Sequence, residues 1–457
     1  MVIIVLLLLL VCSSFSTLFK PIKTVIVGSG PGGLLTSHAL LSKYKDGKNT
    51  YDVQLIESRD DPRFEPQGPR SYSLGLNIRG QTAIKYFDKP GRSFGLWHGI
   101  RKEGVFSETF WLHIGKLKLN IRKPVSNSDD NNNIPPPTLM IPRNKLVQGL
   151  VDVANSTYGD RFKIKYNTKC TSIDIKAKVA YFSDGTSLPY DLLIGADGAN
   201  SEIRNALATQ SNVKVEENIL PGQYKVMLQP LPATLEPEAI HAMECTSKDR
   251  SNIGLFIIPA PNNNICALVN WRNSSNIPNA FIQENTDPSN IAYIQDLIEK
   301  DFPLFGRPTE QAVLQLQEQK PSVALTIKCD NYADKNVCIL GDAAHSTGGT
   351  LGQGCNSALL DVVELDKVLE DTNDNISEAL TKFSMRQQPE GSALLTLLSL
   401  PPKNAWGIPY NLIQLIKGFL SKFLPFNFLK PTQTLLSQTL LPFTQIVALN
   451  KFWLNKV

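Results

Sequence analysis

Residues 336–361 read NVCILGDAAHSTGGTLGQGCNSALLD. A β-branched and apolar run, 337–340, stops at Gly341-Asp342, a loop with four further glycines follows, and apolar residues then recur at helical spacing. This is a strand that ends, presents one carboxylate and delivers a small-residue loop to a helix start. The first N–H groups of a helix lack partners and its dipole is positive there, so such an end attracts negative or electron-rich groups.

Two earlier stretches complete it. Residues 23–27 form a buried strand, followed by Gly28-Ser29-Gly30-Pro31-Gly32-Gly33 and a helix at 34–41; residues 52–57 form a second strand closing on Glu57. Gly28 permits the tight turn, Gly30 lets backbone approach a pyrophosphate, and Gly33 lets helix and strand pack closely. Glu57 is placed to accept hydrogen bonds from an adenosine ribose. A glycine-rich turn in an unrelated α/β protein is the competing reading, and the motif does not separate FAD from NAD. Arg59, Arg70 and Arg79 are candidates to line a phosphate channel and fit equally as surface arginines. Pro142-Arg143 opens a helix at 144–154, with Arg143 facing the nucleotide or capping the helix. Residues 125–137, rich in Asn, Asp and Pro, read as a solvated loop.

The other stretch is residues 191–204, DLLIGADGANSEIR, a buried strand running into Gly195-Ala196-Asp197-Gly198 with Ser201 and Arg204 beyond. Strand, GADG and a trailing Ser and Arg form a far more specific pattern than the glycine turn.

With these three motifs in order, the chain resembles the single-component FAD-dependent flavoprotein monooxygenases of the aromatic hydroxylase group. It is most similar to the kynurenine 3-monooxygenase-like proteins, over about residues 23–388. The resemblance implies an α/β fold: a glutathione-reductase-like, Rossmann-like FAD-binding domain, an inserted antiparallel β-sheet substrate domain and a C-terminal helical tail. It implies FAD and NADPH (or NADH) as cofactors and O2 with a small molecule as substrates. An oxygen would pass from a flavin C4a-hydroperoxide to an aromatic or other electron-rich carbon, with no side chain as covalent catalyst. Along the FAD it places Gly28, Gly30, Gly33, Glu57, Arg59, Arg143, Asp197, Gly198, Arg204, Gly341 and Asp342. Gly352, Gln353, Gly354, Cys355 and Asn356 would start the helix aimed at the isoalloxazine. His345 fits better as a structural contact than as an acid or base.

Two departures bear on the substrate. Where the family carries a proline after G-D-A-A-H this chain has Gly349, followed by Thr350 and Leu351. Near Phe110, where the kynurenine enzymes hold the substrate carboxylate, there is no arginine. The missing arginine favours a more apolar substrate over an amino acid. Short alternating runs at 223–231, 239–245, 253–258 and 265–271 read as the antiparallel sheet roofing the flavin. Tyr224, Met227, Gln229, Phe256 and Trp271 are candidates for the pocket wall, beside Phe110 and Gly349 to Leu351; plain core is the alternative for each. A helix at 289–301 and a return at 317–327 lead back to the nucleotide domain.

The expected domains are 1–20, a signal peptide or anchor; 21–205 with 315–390, binding FAD; 75–125 with 206–314, binding substrate; and 391–457, a tail. Residues 2–11 are an unbroken apolar run with small residues following at Ser14-Phe15-Ser16, pointing to the endomembrane system or another membrane association. Three N-x-S/T sequons, at Asn155, Asn273 and Asn375, are compatible with this. The net charge of +4 belongs to the tail: residues 391–457 hold six lysines and no Asp or Glu, and the remainder is net −2. Nucleic acid is therefore not implied. Seven scattered cysteines and five histidines give no metal-ligand spacing. A helix closes the nucleotide domain at 377–387, and residues 410–424 form a basic amphipathic helix suited to a membrane surface or to covering the core. Competing functions are an epoxidase or oxidoreductase acting on a membrane lipid (carotenoid, quinone or sterol type), a flavin halogenase lacking its tryptophan-rich segment, and an FAD-binding protein without turnover. Oligomeric state is not legible.

Overall fold

The computed structural model describes residues 20–457 apart from 46–47, 64–71, 116, 123–134, 273–276, 279–280, 282–288, 350, 422–423 and 425. Nearly all of the segment expected as a signal peptide or anchor, with Arg70, Thr350, the Asn273 sequon and most of the 125–137 insert, lies outside the described residues.

The chain opens with β1 (Ile22–Val27), α1 (Pro31–Leu41), β2 (Tyr51–Ile56), β3 (Ser73–Leu76) and α2 (Ile78–Phe87). There follow β4 (Val105–Ser107), a hairpin of β5 (Phe110–Ile114) and β6 (Leu117–Arg122), β7 (Thr138–Pro142), α3 (Arg143–Tyr158), β8 (Lys163–Lys165), β9 (Leu192–Gly195) and α4 (Glu202–Ser211). Next come β10 (Val215–Pro230), β11 (Ile240–Glu244), β12 (Ile253–Ala260), β13 (Asn264–Trp271), α5 (Ser289–Asp301) and α6 (Glu310–Glu318). The chain returns through β14 (Ser322–Cys329), β15 (Ala333–Asp334), β16 (Val337–Ile339), α7 (Asp342–His345), α8 (Gly354–Asp371) and α9 (Ile376–Leu397). The tail holds α10 (Gly407–Leu420), α11 (Thr432–Gln438) and α12 (Phe443–Leu449).

Among the described residues the first sheet runs β8-β2-β1-β9-β16-β15. Its strands are parallel except β15. Parallel strands are buried on both faces, which is why residues 25–27 and 192–195 are apolar without alternation and wholly buried. The second sheet runs β14-β10-β13-β12-β11-β5-β6 and is antiparallel except at β5–β11, where a strand from much earlier in the chain joins it. A third, β3-β7-β4, connects the two regions.

The second sheet is buried on both sides, and this corrects part of the pocket expectation. Met227 and Trp271 pack in the cluster with Ile294, Ile298 and Leu316 of α5 and α6. Gln229 accepts a hydrogen bond from the Thr309 N–H at the start of α6. Strand side chains alternate, so Tyr224, Val226 and Leu228 point the other way, into a cluster with Met140, Phe110, Phe256 and Tyr72. Met227, Gln229 and Trp271 therefore belong to the core beneath the helices.

α9 passes Pro389 and ends at Leu397 instead of 387. Its second half buries Ala393, Leu394 and Leu397 against Leu435, Leu436, Phe443 and Ile446 of the tail. The tail helices are thus packed on the nucleotide domain.

Candidate cofactor and substrate site

Three strand ends stand side by side. Val27 pairs with Gly195, and Gly195 with Ile339, all in parallel register. The three motifs therefore leave the sheet at one edge, the carboxyl edge, where open parallel sheets hold ligands. Backbone bonds lock the exits: Gly28 N–H to Ile56 O at 2.8 Å, Ala196 N–H to Val27 O at 2.8 Å, and Leu340 N–H to Gly195 O at 3.0 Å.

The glycine turn is shaped by contact. Gly28 has φ +98°, and a Cβ on Gly33 would stand 1.9 Å from Gly28 O. Gly30 differs: a Cβ there would meet only the Arg143 guanidinium, at 3.6 Å. α1 starts at this point with Pro31 at its first turn and no side-chain cap. The Arg143 guanidinium is half-buried, and no described residue accepts a hydrogen bond from it or pairs with it. An open backbone, an uncapped helix start and an unpaired guanidinium together fit a pyrophosphate.

Glu57 ends the second strand. Its carboxylate accepts from the Ser29 N–H and Oγ, both at 2.7 Å, and from the Arg59 N–H at 2.9 Å. Burial works against ionisation, but these bonds outweigh it and hold the carboxyl below the usual range. Arg59 is exposed beside it.

In the middle motif the side chains turn inward. Asp197 accepts from Ser201 Oγ at 2.6 Å and the Glu202 N–H at 2.8 Å, so it caps α4. Burial pushes its pKa up, and these bonds oppose the rise. Arg204, only 2% exposed, donates to Ala199 O, Ala343 O and Glu217. It ties the second motif to the third, while Gly198, at φ +79°, leaves open space at the cleft.

The third motif carries an exposed carboxylate in enclosed surroundings. Burial pushes the Asp342 pKa up, against the pull of His345 and Arg143, yet the side chain remains open to solvent. It therefore looks into a cleft, and no described residue hydrogen-bonds its carboxylate. Gly341 is positioned from behind: its N–H donates to Asp361 Oδ2 at 2.8 Å, and the same oxygen lies 2.7 Å from His345 Nε2. His345 is thus a buried structural partner. A Cβ on Gly354 would stand 3.4 Å from Asp342 Oδ1, and α8 begins there with no side-chain cap. Gln353 and Asn356 are fully buried and bind protein. Asn77 Nδ2 donates to Gln353 Oε1 at 3.1 Å, and Asn356 Oδ1 accepts from the Asn77 and Gly80 N–H groups. Their backbone, not their side chains, faces the cleft. Burial pushes the Cys355 thiol up to about 12, so it stays protonated at neutral pH. Gly352 is exposed, at φ +63°.

Phe110, Tyr224 and Phe256 share one face, with Phe110 and Phe256 edge-to-face at 5.6 Å. The loop before α8 meets the same sheet through Thr347, bridged to Thr326, and Ser346 Oγ, which donates to Leu325 O. Gly349 is exposed, while Leu351 packs toward the tail cluster.

Arg79 is a correction. It is 2% exposed, donates to the carbonyls of Leu435, Leu436 and Leu441, and lies 4.3 Å over the Phe443 ring. It holds the tail and lines no phosphate channel. Asn77, Asp361 and Ser29 are not marked out by sequence: Asn77 meets Gln353 across 276 residues, whereas Asp361 and Ser29 meet the nearer Gly341, His345 and Glu57, and only Asn77, an Asn before a helix, carries a local signal.

A protein-family profile described as an FAD binding domain matches residues 21–380. A kynurenine 3-monooxygenase of Cryptococcus neoformans var. neoformans serotype D (strain B-3501A) is 26% identical over 421 residues, spanning 82% of this chain and 76% of that one. One of Legionella pneumophila (strain Lens) is 26% identical over 380 residues, spanning 78% and 74%. Among solved structures, a variant of 2-methyl-3-hydroxypyridine-5-carboxylic acid oxygenase superposes with TM-score 0.63 at 18% identity, over 85% of this chain and 96% of its own. A probable FAD-dependent monooxygenase from Pseudomonas aeruginosa gives 0.61 at 16% identity, over 85% and 99%.

Proposed function

The chain belongs to the FAD-binding-domain family, and from that premise we propose how its residues serve an FAD-dependent, NADPH-using monooxygenase of the aromatic hydroxylase type. The cofactor supplies the redox chemistry, accepting a hydride and activating O2 for insertion at an electron-rich carbon. The protein binds, orients and excludes water.

The α1 N-terminus at Gly30 and Arg143 would hold the pyrophosphate. Glu57 would accept from the adenosine ribose, with Arg59 nearby, and Asp342 from the ribityl hydroxyls. The N–H groups that begin α8, at Gly354 and Cys355, would offer their positive dipole end to negative charge added to the flavin. Gly28, Gly33, Gly198, Gly341 and Gly352 shape the backbone, while Asp197, Arg204, Gln353 and Asn356 act from behind. The substrate ring stands against Phe110, Tyr224 and Phe256, beside Gly349. The apolar wall of Met140, Val226, Ile240, Ile258 and Cys266 keeps the reacting space dry. Residues 21–205 with 315–390 form the FAD unit, 75–125 with 206–314 the substrate unit, and 391–457 the covering tail.

The observation that carries this reading is the Arg143 guanidinium, half-buried and unpaired among the described residues, set between open Gly30 and the Asp342 carboxylate. The test is spectroscopic. The purified protein should show bound oxidised FAD, NADPH should bleach it, and an aromatic substrate should accelerate NADPH oxidation with stoichiometric hydroxylated product. A bound flavin that neither NADPH nor NADH reduces would overturn it.

A second reading concerns location. α10 turns an apolar face to solvent in a segment with lysines and no acids. We infer that this face rests on an anionic membrane surface, with residues 2–11 as a further apolar anchor; co-sedimentation with vesicles tests it. No helix among the described residues is long and apolar enough to cross a membrane.

A further inference from the structure

α8 opens between two glycines. Gln353 is its N-cap, with Gly352 before it at φ +63° and Gly354 after it, and no side chain caps the helix. Glycine leaves the backbone free to turn, so this stretch cannot fix its own direction. The direction is set from outside. Gln353 is 1% exposed, and its Oε1 accepts from Asn77 Nδ2 at 3.1 Å. Asn77 itself is fixed: its Oδ1 accepts the Arg79 N–H at 2.9 Å, which turns its amide nitrogen toward Gln353. Asn356, in the first turn of α8, has its amide fully used. Its Oδ1 accepts from the Asn77 and Gly80 N–H groups at 3.1 and 3.2 Å, and its Nδ2 donates to the Gly75 and Gly352 carbonyls at 2.9 and 3.0 Å. A Cβ on Gly80 would stand 2.4 Å from Asn356 Oδ1, so only glycine admits this approach.

The two helices therefore hold each other by their first turns. Asn356 of α8 takes up N–H groups that open α2, and Asn77 at the start of α2 holds the N-cap of α8. The Ser357 N–H is bonded within α8, to Gln353 O at 2.8 Å. The N–H groups of Gly354 and Cys355 come before it and have no partner inside the helix. Their aim follows the Gln353 peptide, and donors held in a fixed direction stabilise charge better than donors that must first reorient. Capping α2 does not by itself require asparagine. A serine hydroxyl would also accept the Arg79 N–H, but it is too short to reach Gln353 as well.

We propose that Asn77 is a positioning residue for the flavin. By holding Gln353 it aims the N–H groups that open α8, so that the site favours the reduced, negatively charged cofactor over the oxidised one and raises its reduction potential. The proposal rests on the FAD reading of the same cleft.

The experiment measures the midpoint potential of FAD on the full-length protein with a redox dye, beside the affinity for oxidised FAD. Asn77→Ser keeps the α2 cap and removes the contact with Gln353. It should lower the affinity for reduced relative to oxidised FAD about ten-fold, a fall of about 30 mV for a two-electron couple. Affinity for oxidised FAD should stay within about three-fold of wild type. Gln353→Leu removes the same contact from the other side and should lower the potential as far, and the double variant should fall no further. A merely structural role would weaken both redox states alike and leave the potential where it was. An unchanged potential in either variant overturns the proposal, as does a double variant that falls by the sum of the two. If Asn77→Ser does not fold, Gln353→Leu decides by the same two measurements. Failure of the FAD reading would show separately, in a wild-type protein that binds no FAD or whose flavin NADPH cannot reduce, since reduction through the dye needs no NADPH.

Discussion

Gly30 and Gly33 lie in one turn but answer to different constraints. A Cβ at Gly33 would overlap Gly28 O at 1.9 Å, so Gly33→Ala must open the turn and should cost about 3 kcal/mol of stability or more. A Cβ at Gly30 has only Arg143 within 4 Å, so Gly30→Ala should cost about 1 kcal/mol or less. FAD affinity should nonetheless fall at least ten-fold, because the methyl group occupies the pyrophosphate's place. Urea denaturation of the apoprotein and flavin fluorescence titration separate the two effects; undiminished affinity in Gly30→Ala would move the pyrophosphate elsewhere. The His345–Asp361 pair makes a prediction about pH. Burial pulls the His345 pKa down, but the Asp361 charge and hydrogen bond pull it further up, above the ordinary 6.5. A folded-state value above the unfolded one stabilises the fold fully below pH 6.5, and the benefit fades as pH rises through the folded value. The stability gap between wild type and His345→Asn should therefore be widest near pH 6 and narrow steadily toward pH 9. Asp361→Asn should cost about 3 kcal/mol at pH 6, since it strands a buried imidazolium. A gap that widens with pH would reverse the assignment.

At the scale of elements, the tail is held by apolar packing on α9 and by two charged side chains. Three carbonyls of Leu435, Leu436 and Leu441 converge on Arg79, at the start of α2. From the other side Glu390 accepts the Phe443 N–H at 2.6 Å and so caps α12. Arg79→Met would take this donor from the Leu436 and Leu441 carbonyls, while Leu435 O keeps the Thr439 hydroxyl at 2.6 Å, and a loss of about 3 kcal/mol is expected, given roughly 1–3 kcal/mol per unsatisfied buried group and partial relief by water. Limited proteolysis should then cut between α10 and α12 at least ten times faster, with the nucleotide domain intact; an unchanged cleavage rate would show that packing against Leu394 suffices. What could be read in advance follows from range. The strand–loop–helix motifs are local: glycines, an acid at a strand end and apolar runs lie within about thirty residues, so they and the fold class were legible. Arg79 reaches partners some 360 residues away, and the Asn356 side chain meets the Gly80 N–H across 276. Neither relation leaves a trace in neighbouring sequence. Met227 was misplaced for a related reason. Val226, Met227 and Leu228 of β10 are apolar in succession because helices cover one face and the cluster around Met140 the other, so alternation could not say which face was the pocket.

At the scale of the whole molecule, charge and apolar surface are segregated to one end. Every lysine beyond residue 390 lies in a segment without an acid, and α10 within it is inverted relative to an ordinary surface helix. Tyr410 packs inward against Trp453, while Ile408 is 81% exposed, Leu415 68% and Leu412 58%. Such a face on a folded domain normally has a partner. The lysines select an anionic one: near a charged bilayer each contributes roughly 1 kcal/mol, and each leucine or isoleucine immersed adds about 1.5–3 kcal/mol. Both terms are needed, because α10 is a single 14-residue helix. Full-length protein should co-sediment with phosphatidylserine vesicles at 0.1 M salt, and at least ten-fold less with phosphatidylcholine alone. Raising the salt about five-fold should weaken the first and not the second. The double substitution Leu412→Glu with Leu415→Glu should abolish sedimentation while leaving the melting temperature and FAD content unchanged, since neither side chain packs in the core. If that variant instead turns a dimer into a monomer and wild type ignores vesicles, the face joins two copies of the chain. The salt dependence then discriminates further, for a net-positive face cannot be strengthened by low salt when it meets its own copy, whereas it must be when it meets an anionic bilayer.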